Sequence, residues 1–159
     1  MTALFSWLKI AYAEVGVKEY AGLADNPRVV QYHKATSLHA TDDEVPWCSS
    51  FVNWCMLKSG YPRTNSARAR SWEKYGVRIA TPVRGCIVVF TRTGGGHVAF
   101  FDTLVDEHTV RHFGGNQADA VNFKQSPTSR VVGYYMPEHL NEADKAVYDL
   151  IKKEDTLNA

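Results

Sequence analysis

The sequence has little of what builds a disulfide framework or a zinc site. It contains three cysteines, Cys48, Cys55 and Cys86, and no two of them form a C-x-x-C pair. An odd number of cysteines without metal-ligand spacing argues against both a disulfide scaffold and a structural zinc site. Each cysteine is therefore either a small buried apolar residue or a reactive thiol.

Long apolar runs and an excess of charge are also missing. No stretch approaches the roughly 18 apolar residues that a membrane span needs, so no stable membrane insertion is expected. The formal net charge of +1 gives no global attraction to nucleic acid. The apolar N-terminal residues are interrupted by Lys9 and Glu14 and follow no basic segment, which argues against a signal peptide. We expect a monomer made in the cytoplasm.

The hydrophobic pattern divides the 159 residues into a helical first half and a strand-rich second half. Helical spacing predicts helices over 3–15, after Asn26-Pro27, over 48–58 and around 67–74. Short β-branched or aromatic runs predict strands at 87–90, 97–104, 109–113, 120–124 and 131–135. This order predicts an α+β domain with N-terminal helices packed on a C-terminal antiparallel sheet of about five or six strands. Residues 1–137 would be the catalytic domain, and 138–159 a C-terminal helix docked on it.

Cys48 stands where a thiol would be reactive. It follows Pro46-Trp47 and opens the predicted helix that ends before Ser59-Gly60. The N-terminus of a helix presents unpaired N–H groups and the positive end of the helix dipole, and both stabilise a thiolate. The same N–H groups could stabilise an oxyanion formed on a substrate carbonyl. Cys55 and Cys86 lie among apolar neighbours and fit a packing role.

A reactive thiol requires a base, and His97 is the best placed of six histidines. It follows three glycines and opens a predicted strand, so its side chain could project toward the helix start. Asn116, after Gly114-Gly115 at the end of the next strand, could accept a hydrogen bond from the imidazole and fix its tautomer. A turn role for Asn116 fits equally well. His108 and His112 are four residues apart, but they fall in a predicted strand region, which argues against a helical metal pair.

These residues occur within a longer pattern that resembles the NlpC/P60 and CHAP superfamily of cell-wall cysteine peptidases and amidases, in particular a compact subset of phage origin that includes endolysins. The resemblance extends from about Trp7 to Pro137. The segments that carry it are AEVG (13–16) followed by Glu19 and Gly22, NP (26–27) followed by Tyr32, DEVPWC (43–48), FVNW (51–54), ARARSW (67–72), GCIVVF (85–90), GHV (96–98) and GGNQ (114–117).

The resemblance implies a papain-like fold and a role for each matching position. Cys48 would be the nucleophile, His97 the base and Asn116 the group that orients the base. Gln117 could line the cleft. Trp47 and Trp72 could form walls for sugar or peptide, and a core role for either fits equally well.

Two features depart from the family pattern or extend it. Cys86 stands where the family usually has an acidic residue after the glycine, and as a second thiol that could lie near the cleft it is a minor rival nucleophile. Some CHAP relatives bind calcium through acidic residues upstream of the cysteine. Here Asp42, Asp43 and Glu44 are adjacent rather than alternating, which argues against a calcium site. We therefore predict no metal and no cofactor.

The predicted function is peptidoglycan hydrolysis by an endolysin-like enzyme that cleaves an amide or peptide bond of the murein stem through a cysteine nucleophile. The enzyme would act on the cell wall or periplasmic murein after release from the cytoplasm. The same chemistry suits a secreted interbacterial amidase toxin or a tail-associated lysin. A non-catalytic wall-binding module and a different acyltransferase are weaker alternatives.

Overall fold

Helices occupy the first half and the C-terminus of the chain, and strands fill the region between them. The computed structural model describes residues 3–20, 25–37 and 46–157. The helices are α1 (Ser6–Tyr12), α2 (Pro27–His33), α3 (Cys48–Lys58) and α4 (Glu142–Leu157), with 3-10 helices at Ala69–Lys74 and Thr128–Arg130. The strands are β1 (Val77–Ile79), β2 (Ile87–Arg92), β3 (Gly95–Asp106), β4 (Thr109–Gln117), β5 (Ala120–Pro127) and β6 (Val131–Met136).

The six strands form one sheet in the order β1-β6-β2-β3-β4-β5, and every neighbouring pair is antiparallel. The predicted α+β class is therefore confirmed, and the architecture agrees with a papain-like fold. Strand β1 was not predicted, because three residues at the edge of the sheet are too few to show a period.

The boundaries of α2 and α3 follow the predicted capping and stop signals, whereas α1 is shorter than its predicted range of 3–15. The Asn26 side chain accepts a hydrogen bond from Arg28 N at 2.9 Å, and Pro27 is the first residue of α2. Helix α3 runs from Cys48 to Lys58 as predicted and gives way to Gly60, whose φ is 83°. The predicted helix around 67–74 is a 3-10 helix at Ala69–Lys74 rather than an α-helix.

Helix α3 packs against the middle of the sheet. The Phe51 ring lies 6.4 Å from the rings of Phe100 on β3 and Phe113 on β4. Near the end of β4, Gly115 touches the helix start so closely that a Cβ there would lie 2.7 Å from the Trp47 ring. A side chain at position 115 would push the beginning of α3 away from β4. Glycine therefore lets the N-terminus of α3 sit directly against the end of this strand.

Helix α4 contacts α1 through one buried carboxylate. Asp144 is 2% exposed and accepts hydrogen bonds from Ser6 N at 2.7 Å, Ser6 Oγ at 2.6 Å and Tyr61 OH at 2.5 Å. Tyr148 packs edge-on against Phe5, with ring centroids 6.1 Å apart. The described residues include no helix that is both long and apolar enough to span a bilayer.

Candidate active site

Cys48 is the first residue of α3, and its thiol lies among backbone N–H groups. Hydrogen bonds from the backbone of Val98, Ser49 and Cys48 itself favour the thiolate, as does the charge of Arg92. Burial has the larger effect and raises the pKa of the thiol, because the side chain is only 8% exposed. The resting side chain is therefore a neutral thiol surrounded by groups that would stabilise its anion.

The contact with Val98 joins Cys48 to the backbone of the residue that follows the predicted base, His97, on β3. Cys55 lies in the middle of α3, and Cys86, although backbone N–H groups of Val83 and of Cys86 itself favour its thiolate, stands before β2 rather than at a helix start. Both are fully buried, and burial raises the pKa of Cys55 well above its usual value and that of Cys86 to about 12. Cys86, the minor rival nucleophile, is thus a buried neutral thiol.

The His97 side chain is hydrogen-bonded to Gln117. His97 is 1% exposed, and its Nε2 lies 2.9 Å from Gln117 Oε1. The Gln117 amide nitrogen donates to the Asn122 backbone oxygen at 2.7 Å and to Asn122 Oδ1 at 3.2 Å. Because a backbone oxygen only accepts, this contact fixes which end of the amide is nitrogen and leaves the oxygen facing the imidazole.

The orientation of the amide determines the tautomer of His97. Gln117 Oε1 only accepts, so His97 carries its proton on Nε2 and keeps a lone pair on Nδ1. Burial lowers the pKa of His97 to about 3, and the charge of Arg92 lowers it further against the opposing hydrogen bond from Gln117. The imidazole is therefore neutral at ordinary pH, with Nδ1 as its basic atom.

The contact that the sequence analysis predicted for Asn116 belongs to Gln117 instead. Continuing the register of Phe100 opposite Phe113 by three residues would set His97 opposite Asn116. A β-bulge between Gly114 and Gln117 adds a residue to β4, and Asn116 within it has a φ of 55°. Among the described residues, the half-buried Asn116 side chain makes no hydrogen bond.

Gln117 is 1% exposed, so its predicted place in the wall of a cleft is replaced by a buried position behind His97. The two predicted tryptophan walls are also buried. Trp47 and Trp72 are both 0% exposed, and the Trp72 indole N–H donates to Ser49 Oγ at 2.9 Å. Of the two roles that the sequence left open for them, the structure favours the core role. The acidic run 42–44, considered for calcium, lies outside the described residues.

A second buried histidine belongs to the same cluster and was missed. His112 on β4 is 0% exposed, and its Nδ1 lies 2.6 Å from the same Gln117 oxygen that receives His97. From the sequence, His112 was weighed only as half of a helical metal pair with His108. The sequence did offer a signal for its role. His112 lies in the predicted strand that follows the one containing His97, two residues before Gly114.

The comparison with protein families matches the segment that carries Cys48 and His97. Residues 40–116, just under half of the chain, match the family model of the CHAP domain. This segment is therefore similar to CHAP domains. No curated protein and no solved structure matches the chain.

The CHAP match includes Cys48, His97 and Asn116 and ends one residue before Gln117. CHAP domains are typically peptidoglycan hydrolases, either amidases or endopeptidases. The match therefore implies hydrolysis of peptidoglycan as the class of activity.

Proposed function

We propose that the chain is a cysteine-dependent peptidoglycan amidase or endopeptidase that cleaves an amide or peptide bond of the murein stem. Cys48 is the nucleophile, His97 the general base and Gln117 the group that orients the base. The observation that carries the proposal is the tautomer of His97. The hydrogen bond to Gln117 leaves a lone pair on His97 Nδ1. His97 precedes Val98, whose backbone contacts the Cys48 thiol.

The reaction begins from a neutral pair. Burial raises the pKa of Cys48 and lowers that of His97 to about 3, so a stable thiolate–imidazolium pair is not favoured before substrate binds. Proton transfer from Sγ to His97 Nδ1 therefore accompanies attack of sulfur on the carbonyl carbon. Gln117 Oε1 keeps its hydrogen bond to Nε2–H and supports the positive charge that forms on the ring.

The rest of the cycle returns both groups to their starting state. His97 gives its proton to the amine as the carbon–nitrogen bond breaks, which leaves a thioester on Cys48. Water then attacks the thioester carbonyl, His97 accepts the proton of the water, and the thiol leaves with that proton as the acid is released. The N–H groups at the start of α3 are the candidate donors to the oxyanion in both steps.

For the biological setting we propose an endolysin, monomeric and acting on murein after release from the cell that made it. The resemblance to a compact phage-derived subset supports this role. A secreted amidase toxin would use the same residues. Adjacent genes for holin and spanin proteins would support the endolysin, whereas an adjacent immunity gene would support the toxin.

The decisive experiment is mass spectrometry of soluble products after purified peptidoglycan is incubated with the wild-type protein and with Cys48→Ala. Cys86→Ala is the matched control, because Cys86 is a fully buried thiol outside the cluster. We expect fragments from the wild type and Cys86→Ala and none from Cys48→Ala. The fragment masses identify the cleaved bond.

The other outcomes are equally informative. If Cys48→Ala releases the same fragments as the wild type, Cys48 is not the nucleophile. If only Cys86→Ala is inactive while it remains folded, the rival thiol takes its place. If the folded wild type releases nothing from murein of several chemotypes, hydrolysis is wrong and a binding module or another acyltransferase becomes the better hypothesis.

A further inference from the structure

His112 forms a hydrogen-bonded connection on the far side of Gln117 from His97. Its Nδ1 lies 2.6 Å from Gln117 Oε1, and its Nε2 lies 2.8 Å from Ser126 Oγ on β5. The ring packs against Phe90, with centroids 4.7 Å apart. Both nitrogens of this fully buried imidazole are therefore paired, and the catalytic steps described above do not use either of them.

The protonation of His112 follows from the same amide. Because Gln117 Oε1 only accepts, His112 carries a proton on Nδ1, and its Nε2 must then accept a hydrogen bond from the Ser126 hydroxyl. Burial lowers the pKa of His112 to about 4, which keeps the ring neutral. The two histidines therefore hold opposite tautomers, with the proton on Nε2 in His97 and on Nδ1 in His112.

We propose that His112 is a positioning residue that acts on His97 through Gln117. The inference rests on the proposed function of His97 as the base. A glutamine amide has two orientations of nearly the same shape, and only one of them presents oxygen to His97 Nε2. In the other orientation the amide nitrogen would donate to His97 Nε2, which would then have to be unprotonated. The ring proton would lie on Nδ1, and Nδ1 could no longer accept the proton of the thiol.

Two contacts oppose that reversal. The Asn122 backbone oxygen receives the Gln117 amide nitrogen, and the His112 Nδ1–H group donates to the Gln117 oxygen. The contact with His112 also limits sideways movement of the oxygen, because it approaches from a different strand than His97 does. Removing this donor leaves the Gln117 oxygen with the His97 N–H as its remaining side-chain donor among the described residues, so we expect His97 to lose part of its alignment.

The kinetic test compares three variants. His112→Phe keeps a ring but removes both nitrogens, His112→Asn retains an N–H donor near the position of Nδ1, and Ser126→Ala removes only the partner of Nε2. We expect His112→Phe to lower kcat roughly three- to tenfold, the effect of one neutral hydrogen bond, with KM unchanged. His112→Asn should recover most of that loss, and Ser126→Ala should stay within about twofold of the wild type.

The spectroscopic test uses nitrogen-15 NMR of the histidine rings, which reports tautomers directly. In the wild type we expect the proton on Nε2 in His97 and on Nδ1 in His112. In folded His112→Phe we expect His97 to become a mixture of tautomers. This measurement requires no activity, so a protein with the expected tautomers that hydrolyses nothing would contradict the proposed function and leave the arrangement around Gln117 intact.

Three results would overturn the inference. The first is a wild-type spectrum with the proton on Nε2 of His112 or on Nδ1 of His97, which can be obtained even if His112→Phe does not fold. The second is equal impairment of His112→Phe and His112→Asn, which would show that the ring only fills space. The third is a His112→Phe enzyme with the kcat and the His97 tautomer of the wild type.

Discussion

Replacement of Gln117 by leucine tests the candidate active site most directly. Leucine has a similar volume but no polar atoms, so the buried N–H groups of His97 and His112 would both lose their acceptor. A buried polar group without a partner costs about 1–3 kcal/mol, and partial entry of water reduces this value. We therefore expect Gln117→Leu to lower the free energy of unfolding by about 3 kcal/mol.

The effect on catalysis should be larger than that of a single neutral hydrogen bond. Loss of the group that orients a catalytic histidine costs up to roughly 10⁴-fold in kcat when that group is a carboxylate. Gln117 is neutral, and His97 keeps its ring packing near Phe90, so we expect a loss on the order of 10²-fold with little change in KM. The assay is steady-state hydrolysis of soluble stem fragments, combined with urea unfolding followed by circular dichroism.

Asn116→Gly is the matched variant, because the sequence analysis assigned the orienting role to Asn116. Glycine tolerates the φ of 55° at this position, so the substitution removes the side chain without straining the bulge. We expect kcat within about threefold of the wild type and a stability change below about 1 kcal/mol. The reasoning is refuted if folded Gln117→Leu remains fully active while Asn116→Gly loses 10²-fold, since the orienting group would then be Asn116 in the substrate complex.

The remaining predictions concern stability and the space around Gln117. Asp144→Ala removes the buried acceptor that joins α4 to α1, so the free energy of unfolding should fall by about 3 kcal/mol in urea titrations; an unchanged midpoint would show that α4 is held by other contacts. Gly114→Ala adds a Cβ 2.9 Å from a neighbouring side chain and 3.2 Å from the Gln117 oxygen, so kcat should drop at least fivefold, whereas Gly95→Ala, with nothing within 4 Å, should not change it. His97 and His112 stay neutral in the folded protein, whereas a histidine of the unfolded chain has a pKa near 6.5. As the pH falls from 8 to 5, protons bind these histidines in the unfolded chain, and each should lower the free energy of unfolding by about 2 kcal/mol. A urea midpoint that does not change over this range would contradict their burial as neutral rings.

The sequence was sufficient to predict the elements that repeat with a regular period. The start of α3 at Cys48 and the strand that carries His97 followed from helical spacing and from glycine-flanked β-branched runs. Their packing also followed, because an amphipathic helix and a sheet have one apolar face each. The ends of the strands were less predictable, and β4 extends four residues beyond its predicted end at 113.

The bulge near the end of β4 explains why the orienting contact was assigned to the neighbouring residue. Side chains alternate in a regular strand, and alternation from His112 and Gly114 would bring Asn116 to the face that His97 occupies. One extra residue shifts this alternation, so Gln117 takes the place expected for Asn116. A sequence of glycines followed by two amides permits either arrangement, and only the register against β5 distinguishes them.

The similarity to CHAP domains and the local chemistry account for different parts of the site. The CHAP match contains Cys48 and His97 but ends at 116, whereas the contacts that fix the tautomer of His97 come from Gln117 and Asn122. Each of the two neutral imidazoles buried on adjacent strands needs an acceptor, and here both share Gln117 Oε1, whose amide nitrogen is in turn paired with Asn122. The tautomer of the base thus depends on donors and acceptors that lie beyond the matched segment, and substitution of Gln117 should alter catalysis although the CHAP match ends one residue before it.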